Sequence, residues 1–131
     1  MYAAPSLWAG SKTPKTFDDV RKLPFIAPRY FGADPSEPSL DGFPDQENPR
    51  NIQYEGEFLE THRRFALDGI AAAVLPDFTV KRELRAGLLA RLPGPELGRE
   101  IYFLKRRGRP LPKSVDEFVE TVARSIKRVA Y

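Results

Sequence analysis

The chain contains no cysteine. Disulfides, thiolate chemistry and cysteine-based metal sites are therefore excluded, and the composition fits a reducing compartment such as the cytoplasm. Histidine is almost as scarce. His62 is the single one, with neither cysteine nor paired carboxylates to complete a site, so it reads as a structural or exposed side chain. Charge of one sign is not in large excess: 21 basic against 18 acidic residues leave +3. That is too weak to argue nucleic-acid binding. No apolar run approaches the roughly 20 residues that span a bilayer. The start, "MYAAPSLWAG", lacks the charged lead and long apolar core of a signal peptide. A glycine-rich phosphate loop, a GxSxG elbow and an HExxH helix are all missing. Asp18 and Asp19 could be imagined as paired acids, but a helix start explains them better. No enzyme activity, cofactor or metal is expected.

What is present is an ordinary globular balance, 41% hydrophobic and 30% charged over 131 residues, enough for one moderate core. "SLWAG", Ser6 to Gly10, reads as a short strand. Thr16 is positioned to cap a short helix whose apolar edge is Phe17, Val20 and Leu23, ended by Pro24. "PFIAP" follows as a buried strand. Pro28 to Arg50 holds five prolines and two glycines, which predicts a long irregular segment. Tyr30, Phe31, Leu40 and Phe43 are its docking candidates. "RNIQYEG" alternates as a strand. A helix is predicted from about Glu57 to Asp68, with Phe58, Leu59, Phe65, Ala66 and Leu67 inward and Gly69 as its stop.

The run Ile70 to Leu75 is apolar without alternation and lies between Gly69 and Pro76. A central strand covered on both faces accounts for it. Asp77 then reads as the cap of a helix with Phe78 and Leu84 inward and Gly87 as its stop. "LLARLP" and "REIYFLKR" are further strands. The clearest helix comes last. Ser114 and Glu117 have capping-box spacing, and Val115, Phe118, Val119, Val122, Ala123, Ile126 and Val129 recur at helical intervals. Alternating strands and helices predict an α/β fold. The turn "KRRGRP", Lys105 to Pro110, is basic but has no interleaved aromatics, and reads as a solvated turn.

The ordered set of pieces resembles the effector-binding domain of the LysR-type transcriptional regulators. "FALDGIAAAVLPDFTVKRELRAGLLARLP" carries a helix ending at a glycine turn (Gly69), a buried strand ending in Leu75-Pro76, and a short charged helix with Glu83. A Gly-X-Leu-X-X-Leu segment follows at Gly87, Leu89 and Leu92. "REIYFLKRRGRPLPKSVDEFVETV" is similar to the family's closing strand, basic turn and amphipathic helix. "KTFDDVRKLPFIAP" is similar to its upstream helix and apolar strand. Two positions differ: the family's helix after the "PFIAP" strand is replaced by the proline-rich segment, and Ala71 stands where a second glycine is usual.

The resemblance implies a type II periplasmic-binding-protein-like lobe, a central mixed sheet flanked by helices. Residues 1–12 would be an N-terminal strand and crossover, 13–98 the regulatory lobe, and 99–131 a return strand and helix belonging to the other lobe. It further implies a small-molecule effector, no membrane contact, and DNA contact only through a domain not included in this sequence. Pairing with the other lobe, or homo-oligomerisation, is expected. The alternative is a stand-alone solute-binding or protein-interaction module using the same lobe.

In open α/β folds, ligands sit outside the carboxyl ends of strands, where helix starts point N–H groups at anions. Three such junctions occur: Ala27-Pro28-Arg29-Tyr30, Gly56-Glu57-Phe58 and Leu75-Pro76-Asp77. The resemblance places the effector cleft at the first two, with Thr61 one turn further in. Pro28, Arg29, Tyr30, Gly56, Glu57, Phe58 and Thr61 are thus the candidate ligand-binding residues. Arg29 suits a carboxylate and Tyr30 an apolar part of an anionic metabolite.

Overall fold

The computed structural model describes residues 1–29, 39–98, 104, 110 and 112–129. The chain divides into two units, Met1–Arg99 and Glu100–Tyr131.

The first unit is built on a five-stranded mixed sheet. Its strands are β1 (Tyr2–Ala3), β2 (Phe25–Pro28), β3 (Ile52–Gly56), β4 (Ala72–Ala73) and β5 (Ala90–Arg91), in the spatial order β3-β2-β4-β1-β5. β2 runs parallel to both β3 and β4, whereas β1 is antiparallel to β4 and β5. Helices α1 (Phe17–Val20), α2 (Leu59–Leu67) and α3 (Asp77–Arg85) complete the unit. The α/β class and the mixed sheet are as the sequence implies.

Neighbouring residues in each inner strand serve opposite faces, as the pleat requires. Tyr2, Ile26, Ala71 and Ala73 join Ala66 of α2, Val80 of α3 and Leu89 in one core cluster. Ala3, Phe25 and Ala72 join Val20 of α1 and Leu92 in the other, with Phe17, Leu23 and Trp8 packed against it. The alanine run is therefore an inner strand with both faces covered, and Ala71, Ala72 and Ala73 are wholly buried. Alanine suits this place because helices approach both faces. The strand proper is shorter than the apolar run, and Ile70 is exposed.

Local chemistry fixes the ends of elements. Thr16 caps α1 in a reciprocal box: Asp19 N–H donates to Thr16 Oγ1 at 3.2 Å, and Thr16 N–H donates to Asp19 Oδ2 at 3.1 Å. Gly69 ends the turn after α2 with φ +67°, and a Cβ there would collide with Ser6 Oγ. Both left-handed backbone and close approach require glycine at this point.

Several expectations are corrected. Ser6–Gly10 is not a strand. Pro5–Trp8 forms a 3₁₀ turn, with Leu7 N–H donating to the Ala4 carbonyl at 3.0 Å, and the strand is Tyr2–Ala3. Proline at the first position of that turn favours the tight helix over the ladder. α2 begins at Leu59, so Phe58 and Leu59 lie at its exposed start rather than inward, and His62 and Ala66 face the core. α3 is capped by Pro76, with Asp77 in its first turn. Phe78 is exposed, and Val80 and Glu83 are buried instead.

The segment after Ser39 is irregular, as its prolines predict, and it docks through Phe43, which is buried; Leu40 is exposed. Tyr30 and Phe31 lie outside the described residues. So does the strand expected over "REIYFLKR", apart from the exposed Leu104. The basic turn likewise lies outside them apart from Pro110.

The second unit contributes α4 (Lys113–Val129). Ser114 is its second residue, not its cap, so the capping box expected with Glu117 does not form. Phe118, Val122 and Ile126 are exposed along one side of this helix. Among the described residues, no helix is long and apolar enough to cross a membrane.

Candidate functional site

Because β2, β3 and β4 are mutually parallel, their carboxyl ends reach the same edge of the sheet, and α2 and α3 start there. The register pairs Ala27 with Glu55 and Pro28 with Gly56. The first two sequence-predicted junctions are thereby brought side by side.

The Gly56 carbonyl is their common point. It accepts the Arg29 N–H at 3.1 Å and His62 Nε2 at 2.9 Å. His62 is buried and ties α2 to the end of β3, a structural role that agrees with the reading of a lone histidine. Gly56 itself is not demanded by backbone strain, since a Cβ there would meet His62 and Ile26 at ordinary contact distance.

The Arg29 guanidinium has a partner that the sequence reading did not foresee. Arg29 Nη1 donates to Glu55 Oε2 at 2.5 Å. Both side chains remain open to solvent, 71% and 46% exposed. The pairing follows from the parallel register, which sets Glu55 beside Ala27, two residues from Arg29. No local pattern encodes it.

Glu57 is exposed on the turn. α2 starts without a side-chain cap at Phe58, so the leading N–H groups of Leu59 and Glu60 have no capping oxygen from that residue. Thr61 N–H donates to the Phe58 carbonyl at 3.0 Å, and its side chain is half-buried. Tyr30, the remaining candidate, lies outside the described residues.

The third junction is built differently. Asp77 supplies its own carboxylate at the start of α3. It accepts from the Tyr2 hydroxyl at Oδ1 and from Arg91 Nη2 at Oδ2, the latter at 2.5 Å. The Arg91 guanidinium also lies over the Tyr2 ring, 5.3 Å from its centre. Burial opposes ionisation of Asp77, but the bonds from Tyr2 and then Arg91 outweigh it and hold the carboxyl below its usual range. The Tyr2 phenol is pushed above its ordinary value, by burial first and then by Asp77. At both places a guanidinium is held by a carboxylate, Arg91 by Asp77 here and Arg29 by Glu55 at the β2–β3 edge.

Among the described residues, no group of His, Asp and Glu side chains is arranged to hold a metal ion.

Comparison with known proteins agrees with this architecture. Residues 1–127 match the family described as the LysR substrate binding domain. The HTH-type transcriptional regulator PtxR of Pseudomonas aeruginosa is 35% identical over 94 residues, which cover 66% of this chain and 30% of that protein. The chain thus spans under a third of the length of this curated relative. No solved structure matches it. The mixed sheet, the shared strand-end edge and the match over nearly the whole sequence lead to one conclusion: the chain belongs to the LysR substrate-binding domain family.

Proposed function

We propose that this chain is an effector-sensing portion of a transcription regulator, taking a small metabolite with an anionic group at the β2–β3 edge. The observation that supports the reading is the side-by-side register of the β2 and β3 ends, where the Gly56 carbonyl accepts the Arg29 backbone N–H and the side chain of His62 from α2. The Arg29 guanidinium at this edge is complementary to a carboxylate. Pro28, Arg29, Tyr30, Gly56, Glu57, Phe58 and Thr61 are the residues assigned to it. In this reading residues 13–98 are the sensing lobe, residues 1–12 the N-terminal strand and crossover, and residues 99–131 a return strand and C-terminal helix belonging to the other lobe.

The ligand would act by shifting a population between open and closed lobes, so its effect is limited to its differential affinity for the two. DNA contact would fall to another domain of a cytoplasmic regulator, and no catalysis is assigned. The exposed row of Phe118, Val122 and Ile126 on α4 suits cover by the second lobe or by another copy.

Calorimetry with small carboxylates tests this. Arg29→Ala should weaken binding by about 10- to 100-fold, the worth of a charge-assisted hydrogen bond. The melting temperature of the ligand-free protein should barely move, because the Arg29–Glu55 pair is exposed and worth little. Equal affinity in both proteins would remove Arg29 from the site.

A further inference from the structure

We propose that α4 pairs with the α4 of a second copy of this chain, running antiparallel to it, through the row Val115, Val119, Val122 and Ile126. The pairing does not depend on the effector site, and its failure would leave that reading untouched.

α4 has two unlike sides. On one, Lys113, Glu117, Thr121 and Arg124 share a face. Lys113 Nζ lies 4.0 Å from Glu117 Oε1, Thr121 Oγ1 donates to the Glu117 carbonyl at 2.8 Å, and Arg124 Nε donates to the Glu120 carbonyl at 3.4 Å. That side is satisfied by the helix itself and by water. The other side is apolar. Val122 and Ile126 are exposed, Val115 and Val119 are half-buried, and the exposed Phe118 flanks the row. A helix of 17 residues gains most of its stability by covering such a side.

Spacing and charge together say what covers it. The four residues follow at intervals of four, three and four, the alternation of a coiled-coil seam. That series reads the same in both directions. A second α4, turned end for end about a two-fold axis between Val119 and Val122, sets its Ile126 on Val115 and its Val122 on Val119. The other two layers follow by symmetry.

The charges decide the direction. Asp116, Glu117 and Glu120 outnumber Lys113 in the first half of the helix, whereas Arg124, Lys127 and Arg128 make the second half basic. This polarity also complements the helix dipole, so each copy carries it before the two meet. A parallel pair would set acid beside acid and base beside base. The antiparallel pair sets each acidic half beside a basic one, and the arrangement closes with two copies.

Sedimentation equilibrium of this chain tests the pairing. The mass should rise from one copy toward two between about 10 μM and about 1 mM, the range suited to so short a seam. Val122→Asp brings two carboxylates to the centre of the seam. It should hold the mass at one copy throughout, with the melting of the unit Met1–Arg99 unchanged. Because the chain has no cysteine, introduced cysteines report the direction. A mixture of Val115→Cys and Ile126→Cys proteins should form disulfides in a glutathione buffer about ten-fold faster than either protein alone. If Val115→Cys crosslinks to itself as fast as the mixture does, the pair is parallel and the proposal is overturned. Pairing that survives Val122→Asp lies on another surface and also overturns it. A wild-type chain that stays monomeric over the whole range overturns it too, and leaves the apolar row to a second lobe.

Discussion

Replacing Arg50 with alanine is expected to destabilise the protein by about 3–5 kcal/mol, the cost of removing one partner from a buried ion pair. The Arg50 side chain is wholly buried, and Asp41 and Asp45 are 6% and 25% exposed. Arg50 Nη1 donates to Asp41 Oδ2 at 2.9 Å, Nε to Asp45 Oδ1 at 2.7 Å and Nη2 to Asp45 Oδ2 at 2.6 Å. The guanidinium plane also lies against two rings, its carbon 4.1 Å from the centre of Phe43 and 5.4 Å from that of Phe25. The alanine variant would strand the Asp41 carboxylate where water barely reaches and empty the space between the rings. Lysine would not restore the site, because a single ammonium cannot make both bidentate contacts. Converting Arg50 to methionine together with Asp41→Asn and Asp45→Asn should recover much of the loss, since no charge is then left unpaired. Urea denaturation of the three proteins checks both statements. A loss under 1 kcal/mol for Arg50→Ala would mean that the segment from Ser39 to Arg50 is held by Phe43 alone.

Phe25→Ala should be similarly costly, about 3–5 kcal/mol for a large buried aromatic. Phe25 is wholly buried in β2, packed in the cluster of Ala3, Val20, Ala72 and Leu92. The alanines facing it cannot expand into the cavity, and the sheet fixes their backbone, so little relaxation is available to reduce the cost. The variant also removes one ring beneath Arg50, so its effect should not add to that of Arg50→Ala. The double variant should lose less than the sum of the two single losses. Denaturation midpoints at constant slope measure this coupling. A fully additive pair would show that the ring and the guanidinium act independently.

What was legible in the sequence was mostly what is decided locally. Thr16 and Asp19 form their box because the spacing alone determines it. Gly69 stops its helix because only glycine tolerates the turn and the approach of Ser6. The alanine run between Gly69 and Pro76 is too apolar and too short for anything but an inner strand. The failures share a cause: they depend on where distant parts of the chain come to lie. The apolar pattern puts Phe58 and Phe78 on the inward faces of their helices, but Phe58 precedes the first residue of α2 and Phe78 is the second of α3, and both are exposed. Pro5 favoured a 3₁₀ turn over the strand suggested by the apolar Leu7 and Trp8.

The candidate site follows the same division. Arg29 and Gly56 read as strand-end residues from the sequence alone, and the sheet brings the Arg29 N–H onto the Gly56 carbonyl. Glu55 does not stand out in the sequence. Its role depends on the parallel register of β2 and β3, which is set 26 positions apart in sequence. Asp77 was read as a cap, yet Tyr2 and Arg91 bind it, and those partners are reached only through β1 and β5. The Arg50 cluster was invisible because nothing local says that the segment folds back on the sheet.

The central claim is that a ligand enters at the carboxyl ends of β2 and β3. Backbone amide NMR of this chain, titrated with the tightest-binding of the small carboxylates screened by calorimetry, tests it residue by residue. The largest shifts should fall on Arg29, Gly56, Glu57, Leu59 and Glu60, with Arg91 and Asp77 almost unmoved because Arg91 lies on β5, across β4 and β1 from that edge, and holds Asp77. Shifts concentrated at Asp77 and β5, with Arg29 and Gly56 still, would contradict the account.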